Sequence, residues 1–295
     1  MSLSRTEKIV SHVSREMKIL EIGPSANPTL VRTDGWNVFS IDHLNAEGLR
    51  EKYYSDPLVD TARIQEVDFV WQSSTLDSAI GSEHLGTFDC IIGSHIIEHF
   101  PDLLGFFLSA HRILKPQAIL SLVVPDKRFC FDYFKPVALT GDVLEAHTER
   151  RTRHSGKTAF NGAAYGVRSG QQIAWSAGST DLLSFVRGLN EGYEAFNAES
   201  DPSAMPYRDR HGWYFTPSSF RLIRLELAAL GLISFEEISF FPTIGCEFFV
   251  TLQQTEKPDT ELLQTRRMDY LKSMLLETRE QADYLAAGFW PLQSN

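Results

Sequence analysis

Cysteine is scarce in this 295-residue chain. Cys90, Cys130 and Cys246 lie far apart with no C-x-x-C pair, which excludes a zinc ribbon and a disulfide framework and fits a reducing, cytoplasmic compartment. Positive charge is also short. Against 38 Asp and Glu there are 28 Lys and Arg, a formal net charge of −10, which is the wrong sign for broad phosphate neutralisation and disfavours nucleic acid as a partner. No apolar run approaches the length of a membrane span, and the N-terminal MSLSRTEKIVSHVSREMKIL lacks the apolar stretch of a signal peptide, so a soluble protein is expected. Internal repeats and low-complexity segments are missing too. Hydrophobic residues are plentiful at 43%, enough for a packed core and too many for intrinsic disorder.

Short apolar runs bounded by turn residues recur through the first 125 positions: MKILEIG (17–23), WNVFSID (36–42), EVDFVW (66–71), FDCIIGS (88–94) and AILSLVVP (118–125). Each has the length of a strand, and the last is apolar on both alternating faces, as a strand covered by helices on both sides of a parallel sheet should be. Leu103, Leu104, Phe107, Leu108, His111 and Leu114 follow helical spacing until Lys115-Pro116 ends it, giving a strand–helix–strand crossover. Short helices are expected at 4–14, 44–53 and 73–86.

A second ordered block starts at Tyr214. Thr216 suits an N-cap, Pro217 the first helical position and Gly231 a left-handed C-terminal cap around the series Phe220, Ile223, Leu227 and Leu230. ISFEEISFF (233–241) and CEFFVTLQQ (246–254) then read as an antiparallel hairpin joined by a four-residue turn, Pro242 to Gly245. Residues 126–213, rich in aromatics among Gly, Ser and Asn, have no clean period and are too long for a structureless loop, so they should form a cap. From Thr260 to Ala287 the composition is helical, with one apolar stripe through Leu263, Tyr270, Met274 and Leu275. The domains expected are thus 1–125 with 214–255, a cap at 126–213, and a C-terminal helix within 256–295.

In open α/β sheets ligands bind outside the carboxyl ends of the strands. After the first strand comes Glu21-Ile22-Gly23-Pro24-Ser25-Ala26-Asn27-Pro28, in which Gly23 allows close backbone approach and Ser25 and Asn27 tolerate unusual φ. Asp42 ends the second strand, where a carboxylate can take the two hydroxyls of a ribose; alternatively it caps the following helix. The loop is not G-x-G-x-x-G and no Tyr-x-x-x-Lys pair is present, which weakens a nicotinamide reading.

ILEIGPSANP, FSIDH, VDFVW, FDCIIGSHIIEHFPD and the Leu-Lys-Pro before the fifth strand resemble the ordered motifs of class I S-adenosylmethionine-dependent methyltransferases over residues 17–125, and the terminal hairpin matches that fold as well. The resemblance implies an α/β, Rossmann-like, doubly wound, mostly parallel seven-stranded sheet with an antiparallel C-terminal hairpin and a cap insertion, and S-adenosylmethionine as cofactor. It implies that Glu21, Gly23, Pro24, Ser25 and Asn27 lie beneath the methionine part, that Asp42 holds the ribose and that His43 flanks the adenine. Asp68 would accept from the adenine amino group with Phe69 stacked nearby, and Ser94 and His95 would border the methyl group. The chain departs from the family in having Ser25 and Asn27 where later glycines of the loop are usual.

Methyl transfer is an in-line displacement at an activated carbon, so alignment is the main task and a base is needed chiefly for a hydroxyl acceptor. Candidate bases are His95, His99, His154 and His211. The four-residue spacing of His95 and His99 can turn both rings to one side; alternatively His99 bonds backbone at the helix start, and His211 sits in a surface loop. A metal site would need more ligands than His95 and His99, so none is expected. Asp126, Lys127 and Arg128 are candidates for acceptor contact, since they lie at the active end of the sheet, and the resemblance implies that Glu98, in a Glu-His pair with His99, faces the acceptor pocket. The basic run Glu149 to His154 could grip an anionic group or form a solvated helix face. The expected partner is a small-molecule or sugar-containing acceptor, methylated on oxygen rather than nitrogen, with homodimerisation left open. The rival readings are a nicotinamide-type oxidoreductase on a related fold and a non-catalytic scaffold.

Overall fold

The long run of apolar residues before Asp126 becomes the middle of the molecule. In a computed structural model describing residues 3–71, 75–179, 182–201, 207–259 and 261–286, that run lies in β5 (Leu114–Pro125), buried on both faces from Ala118 onward. Four parallel strands lie on one side of it: β1 (Ile19–Ile22), β2 (Val38–Asp42), β3 (Phe69–Val70) and β4 (Phe88–Ser94). On the other side lies an antiparallel pair, β8 (Phe235–Ile244) and β9 (Glu247–Gln254). The sheet order is β3-β2-β1-β4-β5-β9-β8, the seven-stranded Rossmann-like arrangement expected. The order turns back between β1 and β4, so a crevice opens outside their carboxyl ends.

Alternation of side chains divides the sheet into two covered faces. Leu20, Ile22, Ile91, Leu120, Leu122, Phe248 and Val250 pack under α3 (Leu76–Ile80), α4 (Leu103–Ile113) and α8 (Pro217–Ala229). Ile19, Cys90, Ile92, Ile119, Val123 and Phe249 face the other way, toward Ile9 of α1 (Arg5–Ile9). Between the first strands, α2 (Ala46–Tyr53) forms where a helix was expected, capped by the Asn45 side chain rather than by Asp42.

Helix α8 keeps both of its sequence signals, with the Thr216 side chain accepting from the Ser219 amide and Gly231 at φ +70°. Other boundaries moved. β5 starts at Leu114, immediately after α4, with an exposed edge before its buried core. β3 pairs over two residues only, because just Ile41 and Asp42 of β2 stand opposite it. The expected four-residue turn is tighter: β8 continues through Pro242 and Thr243 by shifting register, and the chain reverses at Gly245 and Cys246.

The 126–213 segment carries α5 (Thr140–Thr148), α6 (Gly156–Ala164), the small antiparallel pair β6 (Val167–Ser169) and β7 (Leu183–Phe185), and α7 (Leu189–Ser200). Its first helix is not separate from the sheet domain, since Val143 and Ala146 belong to the main core together with Trp213. Helices α6 and α7 pack on each other.

Helix α9 (Leu263–Tyr284) runs along α8; Thr260 and Ala287, the ends proposed for it, lie outside the described residues, as do 72–74. Its docking face is more polar than the apolar stripe expected. Leu263, Tyr270 and Met274 are half-buried, but Leu275 is 73% exposed and points outward with Leu276. Along α8 the contacts that dock it are polar, with Glu277 accepting from the Ser218 amide and hydroxyl and Arg267 paired with Glu226, while at its far end Tyr284 packs edge-on against Phe129. Among the described residues no helix is long and apolar enough to cross a membrane.

Candidate active site

The loop after β1 is bent by its own sequence. Gly23 sits at φ +62°, donates its amide to the Ile41 carbonyl at 2.8 Å, and has Ile96 so close that an added Cβ would fall 2.5 Å from Ile96 Cδ1. Ser25 follows at φ +45°, and Asn27 closes a turn by donating to the Pro24 carbonyl at 2.8 Å. Glu21 is buried with its carboxylate accepting from the amides of Thr29, at 2.6 Å, and Leu30, at 3.4 Å. Burial raises its pKa, against the lowering effect of those amides. Glu21 thus shapes the loop from beneath. The Asn27 side chain accepts from Arg63 at 3.2 Å.

Asp42 is buried at the crevice end of β2. One oxygen accepts from the Ser25 amide at 3.0 Å, and the other takes the His43 amide at 2.8 Å and the His43 ring at 2.6 Å. The carboxylate thereby ties the ends of β1 and β2 together. His43 is further engaged by Lys52, 2.9 Å from Nε2.

Asp68 is placed elsewhere. It stands level with Ser40, two residues short of the strand end at Asp42, where it accepts from the Ser40 amide at 2.7 Å and pairs with Arg32. Phe69 packs edge-on against His84. The residue at the crevice end of this strand is Trp71, whose amide donates to the Asp42 carbonyl and whose ring lies 5.0 Å from that of Phe100. Counting only the paired length of β3 would have pointed to it.

At the end of β4 the chain turns through His95, a non-glycine residue at φ +53°. Such strain is characteristic of residues held by a functional site. Ser94 accepts from Arg5, which also grips Glu247 with two bonds, at 2.7 and 3.1 Å, and Glu247 in turn lies 2.8 Å from His95 Nε2. Burial raises the pKa of Glu247, but its bonds to His95 and Arg5 outweigh this and keep it low.

A short 3-10 turn, Ile97–His99, follows, and the end of the 126–213 segment lies across it, with the Gly212 amide on the Glu98 carbonyl at 2.7 Å. His211 is therefore inside rather than in a surface loop, only 10% exposed at its side chain, with its ring 4.6 Å from that of His99. His211 Nδ1 meets Asp132 at 2.6 Å, and Asp132, itself buried, pairs with buried Lys135 at 2.6 Å. His99 Nδ1 meets Asp209 at 2.7 Å, so the backbone-bonding alternative is not what forms. Burial pulls the His99 pKa down, but the Asp209 hydrogen bond together with the charges of Glu98, Asp209 and Asp132 raises it above the usual histidine value. Glu98 is fully buried between these rings.

Histidines 95, 99 and 211 and Glu98 are thus gathered at the crevice. Asp126, Lys127 and Arg128 are not. Asp126 holds Arg128 in a buried pair at 2.6 Å, Arg128 reaches Glu280 of α9, and Lys127 donates to the Tyr133 carbonyl; all three side chains fix α9 and the start of the cap. Burial pulls the Lys127 pKa down to about 8. The basic run is divided as well: Arg151 pairs with Glu145 and Glu149, Arg153 bonds the Asp201 carbonyl, and His154 is buried, with a pKa pushed down by burial to about 4. Arg5, Asp132, Asp209 and Glu247 carried no signal in the sequence, because each meets its partner far along the chain.

A family model described as a methyltransferase domain matches residues 6–223. Among solved structures, the chain is similar to a SAM-dependent methyltransferase from Methanosarcina mazei, at 17% identity over 86% of this chain and 99% of that one, TM-score 0.42. It is similar to 1,6-didemethyltoxoflavin-N1-methyltransferase of Burkholderia thailandensis, solved with 1,6-didemethyltoxoflavin and S-adenosylhomocysteine, at 14% identity over 85% and 76%, TM-score 0.41. A third, a putative S-adenosylmethionine-dependent methyltransferase from Listeria monocytogenes, is 10% identical over 85% and 97%, TM-score 0.43. No curated protein matches the chain. Because the family model covers well over half of the chain and the sheet has the expected order, the chain belongs to the methyltransferase domain family, with a class I, S-adenosylmethionine-dependent fold.

Proposed function

We propose that the protein transfers a methyl group from S-adenosylmethionine to an oxygen atom of a small molecule or a sugar-containing acceptor. The observation that carries the choice of oxygen is the set of imidazoles at the crevice, each with one nitrogen on a carboxylate: His95 on Glu247, His99 on Asp209 and His211 on Asp132. A hydroxyl must lose its proton during transfer, whereas an amine arrives with a free lone pair, so so much base at one place suits a hydroxyl.

The residues present fit the cofactor. Gly23 lets the β1 loop turn at φ +62° with its α-carbon tight against Ile96, and the Asp42 carboxylate, with about four acceptor positions of which three are taken, retains capacity for a ribose hydroxyl. When bound, S-adenosylmethionine supplies a sulfonium methyl whose bond to sulfur breaks as the acceptor's lone pair forms the new one, the old pair remaining on sulfur. Gly23, Pro24, Ser25 and Asn27 form the rim of its site, Glu21 holds that rim in shape, and Ser94 and His95 stand toward the methyl. His43 and Trp71 flank the adenine, a place that the position of Asp68 makes less suited to that residue. The proton of the acceptor passes to His95. Residues 1–125 and 214–255 serve as the cofactor domain, residues 126–213 as the cap that selects the acceptor, and the C-terminal helix α9 as a strut.

Calorimetric titration with S-adenosylhomocysteine tests the site. One molecule should bind per chain, and Asp42→Ala should weaken binding roughly tenfold or more, the value of a charge-assisted hydrogen bond in a buried place. Equal affinity in the variant would remove Asp42 from the site, and binding of NAD with none of S-adenosylhomocysteine would overturn the reading.

A further inference from the structure

Glu98 is the anomaly of the cluster. It is completely buried, and neither of its oxygens has a hydrogen-bond partner. A carboxylate taken out of water without partners is strongly destabilised unless a positive charge compensates it. Around its Oε1 stand three ring nitrogens, His95 Nδ1 at 3.8 Å, His99 Nε2 at 3.7 Å and His211 Nε2 at 3.8 Å. These separations are too long for hydrogen bonds. Two ligands of one ion at bond lengths of about 2.0–2.2 Å, however, lie about 3.0–3.5 Å apart, close to what is seen.

The far side of each ring settles which nitrogen carries the proton. His99 Nδ1 faces Asp209 at 2.7 Å, His211 Nδ1 faces Asp132 at 2.6 Å, and His95 Nε2 faces Glu247 at 2.8 Å. A carboxylate only accepts, so each ring donates its N–H there and turns a lone pair toward Glu98. With the rings neutral, lone pairs and a carboxylate face one another with no donor between them, an arrangement that attracts a cation. The frame is stiff: Asp132 is fixed by Lys135, and the Gly212 amide on the Glu98 carbonyl locks the cap segment to the 3-10 turn. The ligand atoms of Glu98, His99 and His211 all lie within 4.8 Å of one another.

We propose that Glu98, His99 and His211 bind a divalent first-row transition ion of the zinc or iron class, with His95 bordering it at the strand end. Two imidazoles and one carboxylate suit such an ion and leave coordination positions open, as catalytic rather than structural sites do. Those positions take the acceptor's oxygen, whose proton becomes easier to remove and leaves to His95. That use of the ion rests on the methyltransferase reading; its binding does not.

The test is titration of chelator-treated protein with Co2+ and with Zn2+, followed by calorimetry and by visible absorption for cobalt, with S-adenosylhomocysteine binding measured on the same samples. One ion should bind per chain, with ligand-field bands for cobalt. Glu98→Gln should weaken binding roughly 100-fold or more while S-adenosylhomocysteine still binds, and Asp132→Asn, which reaches the ion through His211, by about 10–100-fold. Should Glu98→Gln fail to fold, Asp209→Asn at the exposed partner of His99 carries the test, with a loss in the same range. Absence of stoichiometric Co2+ or Zn2+ binding in the parent protein, or unchanged affinity in the variants, overturns the proposal. Ion binding without S-adenosylhomocysteine binding leaves the ion site standing and overturns the cofactor reading instead.

Discussion

At Gly23 two constraints meet that no other residue satisfies together: a φ of +62° and a neighbouring Ile96 that would lie 2.5 Å from any Cβ. Gly23→Ala should therefore cost about 1–3 kcal/mol of folding stability, measured by urea denaturation, and weaken S-adenosylhomocysteine binding because the loop must shift. A change within about 0.5 kcal/mol would show that the loop has a relaxed alternative path. The positions of Gly23 and Asp42 at strand ends were legible in the sequence, since both close apolar runs of strand length. The partners of the histidines were not. Asp132 is 79 residues from His211, Asp209 is 110 from His99 and Glu247 is 152 from His95, so only the folded chain reveals that each ring is oriented by a carboxylate. Asp68 misled for the opposite reason: a short motif gave its neighbourhood but not the two-residue extent of β3, which leaves it level with Ser40 and pointing at Arg32.

Helices with strong end signals were readable and helices held by distant polar contacts were less so. Helix α8 has its cap, proline and terminal glycine written locally, and all three act as expected. Helix α9 owes its place to Glu277 at the amino end of α8, to Arg267 on Glu226 and to Arg128 on Glu280, none of which shows as an apolar stripe. Glu277 also complements the positive end of the α8 dipole. Glu277→Ala should lower stability by about 1 kcal/mol and make amide hydrogens of α9 exchange faster, as followed by mass spectrometry, while leaving those of β4 and β5 unchanged. Equal protection of α9 in the variant would mean that Glu277 does not hold it. The tighter β8–β9 turn was hidden because Pro242 and Thr243 look like loop residues, yet an edge strand with a register shift accommodates them.

Over the whole molecule, the parallel strands and the antiparallel hairpin were legible as apolar runs and the seven-stranded sheet through the family resemblance, while the structure of residues 126–213 was not, since its helices lack a clean period. The fold explains how the crevice is built. The turn-back between β1 and β4 opens the crevice, Gly23 and Asp42 line one side of it, and the 3-10 turn after β4 brings Glu98 and His99 to the other side, where the returning cap segment adds His211. The central claim is that one site joins the methyl donor to this histidine cluster. A crystal structure of the complex with S-adenosylhomocysteine tests it most directly. The ribose should lie at Asp42 and the sulfur should face His95, with the cluster of Glu98, His99 and His211 beyond it. A ligand bound elsewhere, or bound with its sulfur turned away from that cluster, would contradict it.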